Sequence, residues 1–481
     1  MIRTKEIMAH QNTVVEFCEP LPYAGIFSDY GTGKSLIALL LTQLKNYRKV
    51  LIVSTKLSVD STWCDEIRVH TDFRFCILQG TAKQKVTMLL FALEKVSNPN
   101  RYGYLNEGDK PLLFLINYEG VKSIYQELIN AQFDAVFADE STKIKTFDTE
   151  RTLALNEVRA TIPNRYIMTG FPITENLAEL YSQIKFIDLG ATFGNNYYAF
   201  LNKYFVRIGP RWVVKKKAIQ QILSAIAPFC IRITNKTLKL PPALYKPIEL
   251  ELTDQQREIL LKFNDTFKLE LGKVKIDTKY IFTLLSKSLE VCDGFVQKIE
   301  KEIDPETGKS TGKILSSELE IVDTNKDEAL VETLEEIDVA KNKVVIWCAF
   351  TFSVKKICHI LTKLKIPVVS LTGETKNANK IVQMFQKSRE YNVIVCTQQK
   401  AAESITLTEA RYAIYYSRMW SNDKRLNSEA RIRRKGSEKH SSIMYIDLIT
   451  KNSVEKKVYE CLRKKKNLID ELKTAFLEMR G

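Results

Sequence analysis

The sequence has no apolar run long enough to cross a bilayer, and its nine cysteines form no Cys-x-x-Cys pair. The first absence argues against a membrane protein, and the second argues against a zinc site or a disulfide framework. The residues that follow Met1 contain no apolar core of a secretory signal. We therefore expect no export, no membrane partner and free thiols in a reducing compartment.

Charge is the most uneven property of the composition. The chain of 481 residues is 45% hydrophobic and 27% charged, and its formal net charge is +15. A length of this size predicts two to four globular domains. An excess of Lys and Arg favours a polyanionic partner such as nucleic acid, because cations release counterions from phosphates. A charge that serves only solubility is the alternative, and composition leaves both open.

Short, continuous apolar runs alternate with segments of helical length in both halves of the chain. This pattern is typical of parallel sheets that are covered by helices on both faces. The predicted strands of the first half are 23–27, 49–54, 74–78, 112–116, 133–138 and 165–169. The alternation restarts near 341, with predicted strands at 343–349, 366–371, 392–397, 411–416 and 442–448.

The pattern predicts an α/β fold with two lobes. The first lobe spans 1–240, a helical section with a hairpin or flexible insertion spans 241–330, and the second lobe spans 331–450. Residues 451–481 form a charged amphipathic segment, predicted to be a brace helix whose lysine run could instead contact DNA.

A glycine turn follows the first predicted strand. Gly31-Thr32-Gly33-Lys34-Ser35 lies between that strand and a predicted helix over 36–44. The backbone N–H groups of Gly31, Thr32 and Gly33 can wrap a phosphate, Lys34 can reach the β- and γ-phosphates, and the Ser35 hydroxyl can bind Mg²⁺. Ser28 occupies the position of the usual first glycine, and a chance glycine turn is the alternative interpretation.

Asp139 and Glu140 end the predicted strand 133–138. A carboxylate at the end of a buried strand can hold Mg²⁺ through water, and its neighbour can position the attacking water. We assign these roles to Asp139 and Glu140, respectively. Acidic pairs at strand ends are also common as turn or cap residues, and the preceding buried strand and the glycine turn give this pair added weight.

A basic segment near 430 contains a third candidate group. Arg431 and Arg434 are three residues apart, so on a helix they share one face and could act as arginine fingers when two lobes close. From this segment alone, a solvated basic face or a plain phosphate-binding patch is the favoured interpretation.

Together these motifs resemble those of the Swi/Snf (sucrose-non-fermenting) branch of the superfamily-two helicase-like, DNA-dependent ATPases. The resemblance follows the chain in order from Gln11 to Gly436. The similar segments are Ser28–Ser35, Val53–Lys56, Ile116–Glu119, Asp139–Thr146, Thr169–Ile173, Val345–Phe350, Leu371–Gly373 and Ala430–Gly436. The stretch Ala401–Thr408 lacks the glycines that the family has there, and Asn427 or Ser428 replaces a family glutamine.

The resemblance implies two RecA-like lobes of a P-loop NTPase that bind ATP and Mg²⁺ between them. It implies that Gln11 reads the adenine edge and that Lys34, Ser35 and Asp139 hold the phosphates and the metal. It also implies contacts to the DNA backbone from Ser54, Thr55, Lys56, Asn117, Thr372 and Ser404.

The resemblance further implies an ATP hydrolase that moves along double-stranded DNA in repair, recombination or replication. A strand-separating or branch-migrating DNA helicase is one alternative, and a nucleic-acid-binding scaffold with a vestigial ATP site is another. Compact versions resemble bacterial and bacteriophage members, so we expect the cytosol of a bacterium or an infected host. Double-stranded or branched DNA is the expected partner, with DNA-processing proteins as further partners and a monomeric motor core.

Overall fold

The computed structural model describes residues 2–3, 7–29, 31–56, 58–97, 110–174, 176–209, 211–234, 240–271, 278–303, 310–375, 377–401, 405–419, 421–461 and 463. The described chain divides into two compact units, one within residues 1–239 and the other within residues 240–466.

The first unit alternates strands and helices along its whole length. Its strands are β1 (Tyr23–Ser28), β2 (Lys49–Ser54), β3 (Arg74–Ile77), β4 (Leu112–Asn117), β5 (Ala135–Asp139), β6 (Asn164–Thr169), β7 (Phe205–Ile208), β8 (Arg211–Val214) and β9 (Cys230–Ile233). Its helices are α1 (Ala9–Cys18), α2 (Lys34–Leu44), α3 (Trp63–His70), α4 (Ala82–Ser97), α5 (Tyr118–Ser123), α6 (Tyr125–Asn130), α7 (Glu150–Ala160), α8 (Glu179–Asp188), α9 (Tyr197–Tyr204) and α10 (Lys216–Ile226).

Seven of these strands form one parallel sheet in the order β3-β4-β2-β5-β6-β1-β9. The central strands are buried almost from end to end, which explains why their sequences are continuous apolar runs rather than alternating ones. One face of the sheet packs on α1, α2 and α3 through residues such as Val14, Leu39 and Trp63. The remaining strands, β7 and β8, pair only with each other.

The second unit has a six-stranded parallel sheet in the order β10-β17-β16-β13-β15-β14. Its strands and the separate hairpin are β10 (Ala243–Leu250), β11 (Phe295–Ile303), β12 (Ser310–Ile321), β13 (Val344–Cys348), β14 (Val368–Leu371), β15 (Val393–Thr397), β16 (Tyr412–Tyr415) and β17 (Ile443–Thr450). Its helices are α11 (Asp254–Leu271), α12 (Thr278–Cys292), α13 (Asn325–Ile337), α14 (Thr351–Lys363), α15 (Ala378–Lys387), α16 (Gln398–Ala401) and α17 (Asn422–Ile432).

Alternate residues of the second sheet enter two different cores. On β13, Val344 and Ile346 pack with α13 and α14, whereas Val345 and Trp347 pack with α15 and α17. This alternation follows from the two-residue period of a strand. A sheet covered on both faces results, and the predicted α/β fold class with two parallel-sheet lobes is confirmed.

Several element boundaries differ from the sequence prediction. The segment 241–330 was predicted to be a helical section, but it begins with β10, which is the edge strand of the second sheet. β10 contains Pro247, and an edge strand tolerates proline because one row of its backbone groups needs no sheet partner. The hairpin or flexible insertion that was predicted in this segment is a hairpin of β11 and β12, and it begins at Phe295. Residues 304–309 lie outside the described chain.

The predicted C-terminal brace lies mostly outside the described chain. Residues 454–461 are helical, and Val458 packs with Leu289 in a small apolar cluster of the second unit. The brace prediction for 464–481 falls on residues that the structure does not describe. All nine cysteines are free thiols. Among the described helices, none combines the length and the apolarity that a bilayer crossing requires.

Candidate functional site

Five strand ends meet at one edge of the first sheet. β2 ends at Ser54, β5 at Asp139, β6 at Thr169, β1 at Ser28 and β9 at Ile233. These strands are parallel and adjacent in the order β2-β5-β6-β1-β9, so their carboxyl ends lie side by side. Ligands of open parallel sheets bind at this edge. The predicted glycine turn and the predicted acidic pair both lie here.

The glycine turn joins β1 to α2 in a left-handed backbone conformation. Gly31 has φ 83° and Gly33 has φ 77°, a region that favours glycine. The Thr32 hydroxyl donates to Asp29 O at 2.6 Å and lies 2.6 Å from the Ser28 hydroxyl. Ser28, which replaces the usual first glycine, thereby braces the turn from inside. The turn ends at Gly33, so the N-terminus of α2 opens onto the site, where an anion is favoured.

Gln11 supports the turn from the neighbouring helix α1. Its side chain is buried, and its Nε2 donates to Thr32 O at 3.2 Å while its Oε1 accepts from Met8 N at 3.0 Å. A Cβ on Gly33 would come within 2.3 Å of Gln11 Nε2, so a side chain at this position would displace the Gln11 amide. Adenine recognition by Gln11 stays a prediction, and the observed contacts hold the turn.

Lys34 is folded back onto the strand that precedes the turn. Its Nζ donates to Ser28 O at 2.9 Å. Burial lowers the pKa of Lys34, and the nearby charges of Glu140, Asp139 and Asp29 partly oppose that shift. A desolvated ammonium of this kind gains from a polyanionic ligand. Within the described residues, the Ser35 hydroxyl makes no hydrogen bond, so it is available to a metal or a phosphate.

Asp139 is held by three hydrogen-bond donors at the end of β5. Its Oδ2 accepts from Ser54 Oγ at 2.9 Å and from Trp63 Nε1 at 3.0 Å, and its Oδ1 accepts from Glu140 N at 3.0 Å. Tyr118 also donates its hydroxyl to Asp139 O at 2.7 Å. These donors fix both the carboxylate and its backbone, which is the arrangement that orients a metal-binding group.

Glu140 has a left-handed backbone with φ 54° and ψ 52°. A residue with a Cβ pays a conformational cost in this region, and such outliers cluster at functional sites. The turn is continued by a short 3₁₀ helix over Ser141–Ile144. The strand therefore ends sharply at Glu140, and the role of Glu140 in positioning the attacking water stays a prediction.

A buried glutamine connects the acidic pair to the segment after β6. Gln183 on α8 accepts from Ser141 Oγ at 2.7 Å and donates to Pro172 O at 2.6 Å. Ser141 directly follows the acidic pair, and Pro172 belongs to the segment Thr169–Ile173 that carried the family resemblance. A single amide thus spans two of the recognised motifs.

Arg232 on β9 is a site residue that sequence reasoning missed. Its buried guanidinium pairs with the Asp29 carboxylate, donates to Gly170 O, and donates to Phe27 O at 3.2 Å. The guanidinium also lies 5.3 Å from the centroid of the Phe171 ring. The available signal was an arginine inside a short apolar strand, because a buried charge requires partners.

The structure corrects one predicted DNA contact. Ser54 is fully buried, and its hydroxyl is donated to Asp139, so in this structure it orients the carboxylate and does not face a DNA backbone. Thr55 and Lys56 follow Ser54, with Lys56 exposed, and Asn117 is partly buried before α5.

The other two predicted DNA contacts belong to the second unit. Thr372 is mostly buried, and its hydroxyl accepts from Glu374 N at 3.3 Å. Ser404 lies outside the described residues.

The structure also corrects the geometry of the predicted arginine fingers. Helix α17 ends at Ile432, and Arg433 has φ −92° and ψ 82°. Arg431 is therefore helical and Arg434 is not, so the two do not share a helix face. The prediction extended the helical spacing past the point where the backbone leaves the helix. The roles of both residues as fingers stay predictions.

A buried ion-pair network fixes α17 in the second unit. Arg425 contacts both Asp447 oxygens, with Nη1–Oδ1 at 2.5 Å and Nη2–Oδ2 at 3.1 Å. Its Nε also contacts Glu429 Oε1 at 2.7 Å, and Tyr245 donates to Glu429 Oε2 at 2.8 Å. The helix that carries Arg431 is thus tied to β17 and to β10.

Comparisons with known proteins match two family models to successive parts of the chain. The family model of the SNF2-related domain matches residues 10–300, and that of the helicase conserved C-terminal domain matches residues 325–436. The chain is similar to an uncharacterized ATP-dependent helicase of Mycoplasma genitalium, with 23% identity over 369 residues that cover 76% of this chain and 33% of that protein.

The chain is also similar to a second curated protein and to a solved structure. A Bacillus subtilis protein named as an ATP-dependent helicase/translocase is 22% identical over 356 residues, which cover 72% of this chain and 36% of that protein. A solved SWI2/SNF2 ATPase core of Sulfolobus solfataricus in complex with double-stranded DNA is 21% identical, covering 100% of this chain and 95% of that chain with a TM-score of 0.42. The chain spans about a third of the length of the two curated relatives. Because the SNF2-related model alone covers more than half of the sequence, the chain belongs to the SNF2-related family and carries a helicase conserved C-terminal domain.

Proposed function

We propose that this protein is an ATP hydrolase that uses the energy of hydrolysis to move along double-stranded DNA. The observation that carries the proposal is the placement of the Lys34 turn and the Asp139–Glu140 pair at one edge of the first sheet. Membership of the SNF2-related family supports the same activity. The names of the curated relatives, one of which includes helicase and translocase, agree with it.

The described residues support distinct roles in ATP hydrolysis. The N-terminus of α2 and the glycine turn receive the phosphates, and the ammonium of Lys34 moves from Ser28 O to the β- and γ-phosphates. Glu140 positions the attacking water. Arg431 and Arg434 are proposed to supply positive charge to the transition state, which is the role of an arginine finger.

The residues at Asp139 fit a magnesium ion that is held through water. An ionised carboxylate has about four acceptor positions, and three of those on Asp139 are used by Ser54, Trp63 and Glu140 N. One position remains, which suits a hydrogen bond to a metal-bound water. Ser35 would contribute its hydroxyl, and bound Mg²⁺ would neutralise charge on the β- and γ-phosphates.

Movement along DNA is the part of the proposal that rests on family and charge. The net charge of +15 favours a phosphate backbone, and contacts to phosphates position a protein without reading sequence. Lys56 is exposed immediately after β2, near the edge of the first sheet where the strands end and where we place the nucleotide. We propose that DNA repair, recombination or replication uses this motion, with double-stranded or branched DNA as the partner.

ATPase assays test the proposal directly. Turnover should rise on linear duplex, fork or Holliday-junction DNA more than on single-stranded DNA or RNA. Displacement of a triplex strand without separation of a forked duplex would indicate translocation. Separation of the fork would instead indicate a strand-separating helicase, and duplex binding without any stimulated turnover would indicate a scaffold with a vestigial ATP site.

A further inference from the structure

A long stretch of the chain, which lies mostly in the first unit, contains no acidic residue. Between Asp188 and Glu249, residues 189–248 include ten Lys and Arg but neither Asp nor Glu. Fifty-seven acidic residues in 481 would place about seven in a stretch of this length. The positive charge of this region is therefore not balanced locally, and a surface of this kind creates a positive potential.

The centre of this stretch is the hairpin of β7 and β8, with its flanking lysines. We call residues 203–217 the basic hairpin; they contain Lys203, Arg207, Arg211, Lys215, Lys216 and Lys217. Its two strands are antiparallel and lie outside the seven-stranded sheet. The hairpin is thus a separate element that contributes no strand to the parallel sheet.

The base of the basic hairpin is firmly attached to the first unit. Phe205 is buried, and its ring centroid lies 5.7 Å from that of Phe200. Lys215 Nζ donates at 2.8 Å to Asn202 O and to Lys203 O at the end of α9. Asn176 Nδ2, in the segment that follows β6, donates to Trp212 O at 3.4 Å. These contacts hold the hairpin near the segment that leaves the nucleotide edge.

The basic hairpin is exposed on both faces beyond its base. Val206, Ile208 and Val213 expose 46%, 61% and 42% of their surface on one face, and Arg207 is exposed on the other. Within the described part of the chain, no carboxylate pairs with Lys203, Arg207, Lys216 or Lys217. Exposed lysines elsewhere do pair, as Lys262 does with Glu258 at 2.7 Å.

Two of these lysines occupy positions that oppose helix stability. Lys216 and Lys217 are the first two residues of α10, and no acidic residue lies in its first turn. The N-terminal end of a helix carries a partial positive charge, so cations there are unfavourable and carboxylates are favoured. Local stability therefore does not explain these lysines, whereas a negatively charged partner does.

We propose that the exposed cations of the basic hairpin bind the phosphate backbone of duplex DNA. The inference rests on the proposed function and adds a contact surface outside the residues assigned from the recognised motifs. Charge complementarity selects the partner, since the 15 residues of the segment include six cations and no acidic residue. Lys203, Arg207, Lys216 and Lys217 are the contact residues, while Lys215 holds the hairpin in place.

The test compares two double variants of equal charge change in the full chain. Lys216→Gln with Lys217→Gln removes two proposed contacts, and Lys262→Gln with Lys341→Gln removes two exposed lysines that pair with acidic neighbours. Binding of a labelled 30-base-pair duplex is measured by fluorescence anisotropy at several salt concentrations. Each lost phosphate contact lowers the slope of log affinity against log salt by about 0.9, so the hairpin variant should lose about 2 and the control nothing.

The outcomes separate this proposal from the function on which it rests. If the unaltered protein binds duplex and the hairpin variant keeps the same affinity and slope, the hairpin proposal is overturned and the proposed function stands. If the unaltered protein binds no duplex, both are overturned. If the hairpin variant binds polyglutamate more weakly than the unaltered protein does but binds duplex equally well, the surface is assigned to an acidic protein and the proposal is overturned. The hairpin variant should unfold at the same temperature as the unaltered protein or at a higher one. A loss of DNA binding is then not caused by a loss of folding.

Discussion

The guanidinium of Arg232 is paired with the carboxylate of Asp29, which lies 203 positions earlier in the chain. Asp29 begins the glycine turn, and the same guanidinium donates to Gly170 O and Phe27 O. One side chain therefore ties the glycine turn to the segment after β6. This relationship makes Arg232 a positioning residue for the proposed nucleotide site.

Replacing Arg232 should alter the site through Asp29. Arg232→Gln and Asp29→Asn should each raise the KM for ATP more than they lower kcat, because the turn loses its support while Lys34 and Asp139 remain. Each should also lower the free energy of unfolding by about 2 kcal/mol or more, since each leaves a buried or half-buried group without its partner. ATPase kinetics and urea unfolding measure the two effects.

A double-mutant cycle supplies the control for this pair. Because the two residues act on each other, the combined variant should change KM and the free energy of unfolding by less than the sum of the changes in the single variants. Fully additive effects on KM would contradict the proposed coupling. Arg232→Lys keeps the charge but cannot make the three contacts of the guanidinium, so it should restore stability only in part.

Lys34→Ala should abolish ATP hydrolysis without unfolding the protein. The ammonium contacts Ser28 O in this structure, and burial lowers the pKa of Lys34, so its removal relieves a desolvated charge. Stability should change by less than about 1 kcal/mol. Steady-state ATPase and thermal unfolding are the measurements, with Lys341→Ala as an exposed control. Full turnover in the variant would remove Lys34 from the site.

Ser54→Ala should affect magnesium rather than DNA. The Ser54 hydroxyl is buried and donates to Asp139, so its loss should raise the Mg²⁺ concentration needed for half-maximal ATPase by roughly 10-fold or more. Trp63→Phe removes the other donor to the same oxygen and should act in the same direction. Titrations without DNA measure this effect. A change in the salt dependence of DNA binding with an unchanged Mg²⁺ requirement would instead restore the DNA-contact prediction for Ser54.

Asp447→Asn should destabilise the second unit in a pH-dependent way. Burial alone would raise the pKa of Asp447, but the charges of Arg425 and Arg418 outweigh it and hold that pKa below the ordinary value of 3.8. A lowered folded pKa contributes stability above the unfolded value, and that stability is lost as pH falls through the folded pKa. At pH 7 the free energy of unfolding of the variant should fall by about 3–5 kcal/mol, because Arg425 and Arg418 lose a buried counter-charge.

The difference in the free energy of unfolding between the unaltered protein and Asp447→Asn should become smaller below pH 3.8. Urea unfolding at several pH values, followed by circular dichroism, measures it. Asp338→Asn is the matched control, because its partner Lys341 is exposed, and it should cause no measurable change. A difference that stays constant down to acid pH would show that the effect is not ionic.

Arg434→Ala should retain ATP binding and lose hydrolysis if Arg434 acts as an arginine finger. Such a residue contributes about 10³-fold or more to kcat and little to binding. Since Arg431 is helical and Arg434 follows the end of α17, the single variants need not behave alike. Nucleotide binding measured beside ATPase separates the roles. Equal loss of binding and hydrolysis would contradict the finger role for the residue concerned.

The local sequence was enough to predict the elements that carry the site. Continuous apolar runs predicted the central strands, because strands buried on both faces need apolar residues at every position. The glycines of the turn before α2 were predictable as well, since left-handed backbone angles favour glycine. Asp139 and Glu140 followed from their place at the end of a buried strand.

One edge strand of each sheet, β9 and β10, was not recognised from local pattern. β9 has only four residues and includes Arg232, and β10 has mostly exposed residues and contains Pro247. Edge strands bury less surface than central ones, so their sequences show a weaker signal. The C-terminal end of α17 was also missed, because the spacing of two arginines does not reveal where a helix stops.

The sequence by itself determined the two parallel-sheet lobes and the chemical groups of the nucleotide edge, because strand burial and tight turns depend on neighbouring residues. Only the tertiary structure decided the partners of those groups. Ser54 meets Asp139 85 positions away, and Arg232 on β9 meets Asp29 at the end of the neighbouring strand β1, 203 positions away. The order in which strands assemble brings such residues together, and no local pattern encodes that order.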